Sequence, residues 1–322
     1  MQAILAVTVP FFALVLCGYL AARFHVLPES AIPGLNAFVL YFALPCLLLR
    51  FGIGTPIFEL LNPAVLTVYL AAAVVIVFFT VAVSLNDRVQ LKDAAFGALV
   101  AAFPNTGFMG VPMLVALLGP GAAGPVICIV LADLFVTSSL CIALAQAHEA
   151  AEHGARTAVW RALRGALSNP LPWSIALGAA FSVAGVQLTG PLEVIVRMLA
   201  DAASPVALFT IGAVLWRASQ HAHSRTPPAD FVPQALVKNL VHPLLVLALA
   251  ASARALGVPL TGLQVTVMVL AAALPSASNV SLLAERYGAD NGRVARIIMT
   301  STVGAFISFS AIAWLFGLRP VG

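Results

Sequence analysis

Long apolar stretches separated by short polar connections recur along the whole chain. A bilayer core about 30 Å thick requires about 20 apolar residues per helix, and each stretch is long enough to meet this requirement. Because the stretches do not alternate apolar and polar residues in steps of two, they favour helices over the strands of a transmembrane barrel. The sequence therefore predicts an all-α polytopic membrane protein with ten transmembrane helices. The predicted spans lie near residues 3–22, 34–51, 62–84, 95–119, 122–147, 170–187, 192–216, 233–255, 262–285 and 292–316.

The longest polar connection divides the predicted spans into two groups of five. Because an odd number of helices in each half forces the second half to enter the membrane upside down, this division predicts an inverted repeat. Prolines support the prediction, since Pro45 and Pro205 fall in the second span of each half. Pro104 and Pro275 likewise fall in the fourth span of each half. The predicted domains are a first five-helix repeat at 1–147, a cytoplasmic linker at 148–169 and a second, inverted repeat at 170–322.

The distribution of lysine and arginine predicts the orientation in the membrane. If the N-terminus lies outside, twelve basic residues fall on the inner side and four on the outer side, which is a clear positive-inside bias. Both termini are therefore expected outside. The first span has no basic residue before Arg23 and no convincing cleavage site, so we expect it to be retained. The inner set is Arg23, Arg88, Lys92, Arg156, Arg161, Arg164, Arg217, Arg225, Lys238, Arg286, Arg293 and Arg296, and the outer set is Arg50, Arg197, Arg254 and Arg319.

Composition narrows the function classes. Hydrophobic residues make up 61% of the chain and charged residues 9%, whereas about a quarter of a soluble domain is charged. The net charge of +4 follows from the predicted topology, and no basic surface interleaved with aromatic residues indicates a nucleic-acid partner. The cysteines lie in apolar spans without a CxxC pair and are interpreted as small buried hydrophobes. His221 and His223 are interpreted as part of a solvated loop, so neither a metal site nor a cofactor is predicted.

Residues 101–114 read AAFPNTGFMGVPML and place helix breakers inside an apolar span. Pro104 has no amide hydrogen and frees the carbonyl of Val100, and Pro112 does the same to Phe108. An unwound turn in hydrocarbon persists only where it lines a cavity or packs against protein. The fourth span is therefore predicted to be a broken helix.

Two glycines, Gly107 and Gly110, add permissive backbone between these prolines. Pro112 suits the first turn of a new half-helix, whose free amides can bind an anion without a formal cation. The break therefore predicts an anion site.

The ninth span repeats this design with other residues. Pro275 frees the carbonyl of Ala271, and Ser276, Ser278 and Asn279 offer oxygens that can cap a new helix start. Two broken helices in corresponding places indicate a substrate site near the middle of the membrane. The alternative is that each proline only shapes helix packing.

Four motifs in the fourth, seventh, eighth and ninth predicted spans read FPNTGFMGVPML, ADAASPVALFTIGAVL, LVKNLVHPLLVLALA and LPSASNVSLLAERYG. They resemble the auxin efflux carrier family, which includes plant PIN-type auxin carriers and bacterial malonate or malate permeases. The resemblance extends over nearly the whole chain. It implies a scaffold domain and a transport domain, each drawn from both repeats, with the broken fourth and ninth helices crossing at the substrate site and an elevator-like motion.

The resemblance also implies site residues. Asn105 matches the asparagine of the family's Pro-Asn-Thr element, which helps to hold the substrate carboxylate. Ser276 and Asn279 are assigned by their position at the ninth-helix break. The long cytoplasmic loop of many plant members is absent, so the chain resembles the compact bacterial form, and auxin is not the expected substrate. The predicted substrate-binding set is Pro104, Asn105, Thr106, Gly107, Gly110, Pro275, Ser276, Ser278 and Asn279.

Ionisable residues within the predicted spans are candidates for ion coupling because each is costly in lipid. Asp133 lies deep in the fifth span, and Asp201 precedes Pro205 by four residues. Both are predicted either to couple transport to a proton or sodium ion, or to bond neighbouring backbone. Lys238 lies near the end of the eighth span, where snorkelling also explains it. Arg286 is interpreted as a helix end.

The function predicted from these patterns is a secondary transporter of a small organic anion, a carboxylate such as malonate or malate, in the bacterial inner membrane. No motif of an enzyme is present, so an enzyme is not predicted. The alternatives are a channel, a cation/proton antiporter or a sodium-coupled symporter of similar architecture. The particular carboxylate, the direction of transport, the coupling ion and the oligomeric state, including a homodimer, stay open.

Overall fold

A computed structural model describes residues 2–147, 167–220 and 226–318. Within these ranges the chain is all-helical, and no strand occurs. Seven helices are long and apolar enough to cross a membrane, and three shorter apolar helices accompany them. The prediction of an all-α polytopic membrane protein is thereby confirmed. The shorter helices are Thr106–Leu118, Pro170–Val183 and Gly262–Ala273.

We number the main helices in chain order. The first half of the chain contains α1 (Gln2–Arg23), α2 (Glu29–Gly54), α3 (Pro63–Ser84), α4 (Leu91–Ala102), α5 (Thr106–Leu118) and α6 (Pro120–Ala145). The second half contains α7 (Pro170–Val183), α8 (Gly190–Gln220), α9 (Val232–Ala255), α10 (Gly262–Ala273), α11 (Val280–Arg286) and α12 (Asn291–Leu315).

Polar side chains fix the starts of several helices. At α3 the side chain of Asn62 accepts hydrogen bonds from the amides of Ala64 and Val65, each at 3.1 Å. At α10, Thr261 and Gln264 form a reciprocal capping box. These bonds satisfy amides that have no partner in the first turn of a helix.

Four helices each contain one five-residue π-helical turn. Such turns are rare and are frequently found at functional sites because they shift the side chains that follow. Three of the four hold residues that the sequence analysis singled out. The turns are Val39–Ala43 in α2, Thr106–Gly110 in α5, Asp133–Thr137 in α6 and Val237–Val241 in α9.

Helix α1 packs along α8 at backbone-to-backbone distance. A Cβ atom at Gly18 of α1 would lie 1.8 Å from the carbonyl oxygen of Phe209. A Cβ atom at Gly212 of α8 would lie 1.9 Å from the carbonyl oxygen of Val15. Only glycine fits at these two positions, because real Cβ atoms do not approach other atoms so closely.

Helices α2 and α7 pack in the same manner. A Cβ atom at Gly178 would lie 2.7 Å from the carbonyl oxygen of Leu49 and 2.8 Å from the Cα atom of Gly52. Small residues are the usual means by which membrane helices approach closely. Further main contacts join α2 to α8, α3 to α4, α4 to α6, α9 to α10, and α3 to α9.

Helix ends differ from the predicted ends by a few residues. Helix α4 begins at Leu91, before the predicted 95, and α7 ends at Val183, before the predicted 187. The second difference has a local cause, since Gly185 has a φ of 65° and stops the helix in the left-handed region. Most of the predicted linker at 148–169 lies outside the described residues, as do His221, His223, Arg156, Arg161, Arg164, Arg225 and Arg319.

Candidate substrate site

Two non-helical segments, residues 103–105 and 274–279, lie side by side between helices. We call this pair of segments the junction. The Asn105 amide donates to the Pro275 carbonyl at 2.8 Å, and the Ala277 amide donates to the Phe103 carbonyl at 3.0 Å. Together they form a short antiparallel bridge that joins Pro104 to Ser276. The breaker residues of the two halves of the chain therefore meet in space.

The carbonyl that Pro104 frees is satisfied by the other half of the chain. The hydroxyl of Ser276 donates to the Val100 carbonyl at 2.7 Å, and both residues are buried. The Ser276 amide donates to the hydroxyl oxygen of Ser301 at 3.2 Å, and that hydroxyl lies 2.9 Å from the hydroxyl of Ser276. The Ser276 hydroxyl is thus engaged in bonds that hold the junction together.

Asn105 is the polar residue at the junction that most strongly indicates a ligand site. It is 2% exposed, and its side-chain oxygen is buried without a hydrogen-bond partner in the described part of the chain. The side-chain oxygen of Asn279 is likewise buried without a hydrogen-bond partner among the described residues. Both side chains line a small cavity of about 20 Å³, together with Thr106 and Gly107. Unpaired buried polar atoms are costly, so a pair of them beside a cavity indicates a place for a polar ligand.

The start of α5 is a π-helical turn, Thr106–Gly110. The amides of Met109 and Gly110 donate to the Asn105 carbonyl at 3.1 and 3.0 Å. Regular α-helix follows from Val111, so Pro112 lies in its first turn. The amides of Gly107 and Phe108 lie in the first turn, and no hydrogen bond to them is found within the described residues. They remain available to a ligand, because first-turn amides have no helical acceptor.

The other predicted residues lie at the junction but differ in their surroundings. Pro104 lines the small cavity, whereas Pro275 contributes its carbonyl to the bridge. Gly110 does not belong to the lining of the small cavity, and a Cβ atom there would lie 2.7 Å from the side chain of Leu274. Ser278 is 7% exposed and accepts a hydrogen bond from Ser281 at its carbonyl.

A larger polar cavity of about 290 Å³ shares Phe103, Phe108, Leu134 and Asn279 with the small one. This volume is close to the lower end of the range for ligand pockets. Arg286 lines the cavity, although the sequence analysis interpreted it only as a helix end. The remaining lining residues are Asn36, Leu40, Tyr41, Ser138, Ile142, Ser168, Asn169, Pro170, Leu283 and Tyr287.

A third cavity lies elsewhere and is less suited to an anion. It has a volume of about 630 Å³ and an almost wholly apolar lining that includes Ile57, Phe135 and Trp173. A carboxylate in such a cavity would lose its hydration without gaining hydrogen bonds. The polar cavity at the junction is therefore the better candidate site.

Two of the predicted coupling residues lie in the protein interior. Asp133 is fully buried and accepts hydrogen bonds from the hydroxyls of Tyr69 at 3.1 Å and Thr137 at 3.0 Å. Lys238 is also fully buried and donates to the Ala272 carbonyl, close to the start of the junction. Both ionisable residues lie in π-helical turns.

His242 belongs to the same interior group, which the sequence analysis missed. Its ring lies 6.0 Å from that of Tyr69, it is fully buried, and neither ring nitrogen has a partner in the described residues. The sequence did contain a signal for His242, because an ionisable residue within a predicted membrane span rarely lacks a role. We call Tyr69, Asp133, Lys238 and His242 the interior polar group.

Asp201 lies apart from the interior polar group. Its carboxylate forms an ion pair with Arg50 at 3.0 Å, and the two side chains are 67% and 42% exposed. This pair joins α8 to α2.

Helices of membrane-spanning length around a polar junction with two unpaired amide oxygens define the described chain as a helical membrane protein with a polar interior site. Residues 3–313 match the family described as "Membrane transport protein", so the chain belongs to this family, the auxin efflux carrier family of the sequence analysis. Members of this family are transporters and not enzymes.

Similar proteins extend over the whole chain. A protein of Rhizobium meliloti (strain 1021) named "Putative malonate transporter" is 28% identical over 98% of this chain and 96% of its own length. The "Uncharacterized transporter YfdV" of Escherichia coli (strain K12) is 25% identical over 97% of this chain and 96% of its own length. A transporter of the same name from Shigella flexneri has the same identity and coverage.

Proposed function

We propose that the protein is a secondary transporter that carries a small carboxylate across the bacterial inner membrane by an elevator-like mechanism. The observation that supports this function best is the buried side chain of Asn105, whose oxygen has no partner in the described residues, beside the free amides of Gly107 and Phe108. The relative named as a malonate transporter agrees with a carboxylate substrate.

The proposed site binds the carboxylate with neutral donors. Asn105 and the first-turn residues Gly107 and Phe108 of α5, a helix of 13 residues (Thr106–Leu118), line the same small cavity, and first-turn amides carry a partial positive charge. Each neutral hydrogen bond contributes about 0.5–1.5 kcal/mol net, and about 1.5–3 kcal/mol when one partner is charged. Such a site can hold an anion and still release it, which a carrier requires.

The proposed architecture is ten spans in two inverted repeats, with α4 and α5 as one broken span and α10 and α11 as the other. Support comes from paired packing: exchange of the two halves converts the contact between α1 and α8 into that between α7 and α2. The same exchange converts the contact between α3 and α4 into that between α9 and α10. Packing that repeats in this way is typical of an internal structural repeat.

In this mechanism, α1, α2, α7 and α8 form the fixed scaffold, because glycine-mediated packing holds their backbones in contact. The helices around the junction form the moving domain and carry the substrate with them. The termini face the periplasm, as the distribution of basic residues predicts.

Coupling to a proton or sodium ion is assigned to Asp133 and Lys238. Both side chains are fully buried and lie in π-helical turns, although no ion pair within 4.0 Å joins these two described residues. Lys238 also bonds to Ala272, one residue before the end of α10, which connects the interior polar group to the junction. Asp201 was predicted for the same role, but it lies apart from this group in an exposed ion pair with Arg50, so we propose Asp133 in its place.

Affinity measurements on Asn105 variants test the proposed site. In purified, monodisperse protein, Asn105→Ala is expected to weaken binding of malonate by about 1.5–3 kcal/mol, roughly ten- to more than a hundredfold. Asn105→Asp keeps the shape but places a negative charge against the substrate, so the loss is expected to be larger. Asn62→Ala is the matched control, because it removes an amide that caps α3 and lies outside the site. Wild-type affinity in both Asn105 variants would show that the site is wrong.

A further inference from the structure

The α11 helix lines the polar cavity along one face. Asn279, Leu283, Arg286 and Tyr287 all belong to the lining, and their spacing of four, seven and eight residues is that of one helical stripe. Arg286 therefore lies on the same face as Asn279, two turns further on and about 10 Å along the helix axis. Long side chains on a helix lean back towards its N-terminus, which brings the guanidinium nearer to the junction.

The charges around this cavity are of one sign. Arg286 is the one charged residue among the described residues of the lining, and none of them is acidic. Its guanidinium makes no hydrogen bond or ion pair with the described residues, in contrast to Arg50 and Arg293, which bond to acidic residues or to carbonyl groups. An arginine without a partner in a cavity that lacks acidic groups is suited to bind a carboxylate, for which its planar donors are matched.

We infer that the substrate is a dicarboxylate, and that Arg286 determines this specificity by binding its second carboxylate. The first carboxylate occupies the neutral donors at Asn105, Gly107 and Phe108, as the proposed function requires. The second extends into the larger cavity towards Arg286. This inference rests on the proposed function and adds the substrate class and the residue that selects it.

The neutral donors at the junction and the guanidinium of Arg286 have different roles in this proposal. The neutral donors at the junction are available to any carboxylate, and so they do not distinguish one acid from two. The guanidinium strengthens the binding only of a substrate that carries a second negative charge at the correct distance. Because Arg286 is exposed to the cavity, water competes for it, and its contribution is smaller than that of a buried pair.

Malonate and its monomethyl ester are the probes that test the inference. They have nearly the same shape, but the ester carries one negative charge. In wild-type protein we expect malonate to bind about five- to thirtyfold more tightly than the ester. In Arg286→Gln this ratio is expected to fall to near one through loss of malonate affinity, while the affinity for the ester stays the same. Arg286→Lys keeps the charge without the planar donors and is expected to keep part of the ratio.

Arg254→Gln is the matched control, since Arg254 is an exposed arginine at the end of α9 and outside the cavity lining. It should leave both affinities unchanged. An unchanged ratio in Arg286→Gln, or an equal loss for both probes, overturns the role of Arg286. If Asn105→Ala weakens both probes while Arg286→Gln changes neither, the carboxylate site stands and the dicarboxylate assignment fails. If wild-type protein binds neither probe, the proposed function fails and the inference fails with it.

Discussion

Replacing Ser276 by alanine removes the hydroxyl that joins the two halves of the junction. In the native structure this hydroxyl donates to the Val100 carbonyl at 2.7 Å. Pro104 supplies no amide hydrogen, so the Val100 carbonyl has no helical donor to replace the lost bond. Ser301 is less affected, because its hydroxyl is also within hydrogen-bonding distance of the Ile298 carbonyl at 2.9 Å. The substitution therefore leaves one buried carbonyl without a partner.

The expected cost follows from that single carbonyl. Leaving a buried acceptor unpaired costs about 1–3 kcal/mol in proteins generally. Hydrogen bonds between membrane helices contribute less, about 0.6 kcal/mol on average and about 1.7 at most, because the unfolded chain in the membrane also finds partners. Since the proline leaves the Val100 carbonyl no local alternative, we expect Ser276→Ala to lower the free energy of unfolding by about 1–2 kcal/mol.

Unfolding of purified protein in mixed micelles, titrated with a denaturing detergent, measures this change. Ser278→Ala is the matched control, because it removes the same atom two residues away, where no bond of the hydroxyl is found in the described part of the chain. We expect the control to stay within about 0.5 kcal/mol of wild type, because it removes no hydrogen bond to another described residue. Equal unfolding free energies for the two variants would refute the reasoning.

Two further substitutions test other parts of the structure. Gly212→Ala should prevent folding or separate α1 from α8, since its Cβ atom would lie 1.9 Å from the Val15 carbonyl oxygen. Gly54→Ala should fold, because no atom lies within 4 Å of a Cβ atom there. The yield of monodisperse protein measures both effects, and equal yields would contradict the close packing of α1 on α8. Asp133→Asn should change the dependence of uptake on pH or sodium, whereas Asp201→Asn should retain it; unchanged dependence in both variants removes the coupling proposal.

Much of the fold could be predicted because membrane helices depend mainly on the solvent around them. Apolar length alone identifies a helix that spans lipid, and the chain supplies that length at 63–84 and 291–315. The helix breaks at Pro104 and Pro275 could also be predicted, since proline lacks the amide hydrogen that a helix interior requires. These signals are local, and each could be read without knowledge of the rest of the chain.

The details of the site depend on partners far away in sequence, and they could not be predicted. Ser276 was expected to contact substrate, yet its hydroxyl bonds to Val100, 176 residues away. Arg286 was interpreted as a helix end because its spacing from Asn279 has meaning only once both residues line one cavity. Asp201 and Arg50 are 151 residues apart, and nothing local indicates their pairing.

The bonds across the junction can form only late in synthesis, because they join residues that are far apart in the chain. The first segment, residues 103–105, enters the membrane with its half of the chain, but Pro275 and Ser276 are made much later. At about 5–20 residues per second, the delay over 176 residues is roughly nine to thirty-five seconds. During that time the Val100 carbonyl and the Asn105 amide have no permanent partner, and water or the insertion machinery must satisfy them. The proposed binding site is therefore completed only when the second half of the chain arrives, and we expect a truncated chain to insert helices without forming the junction.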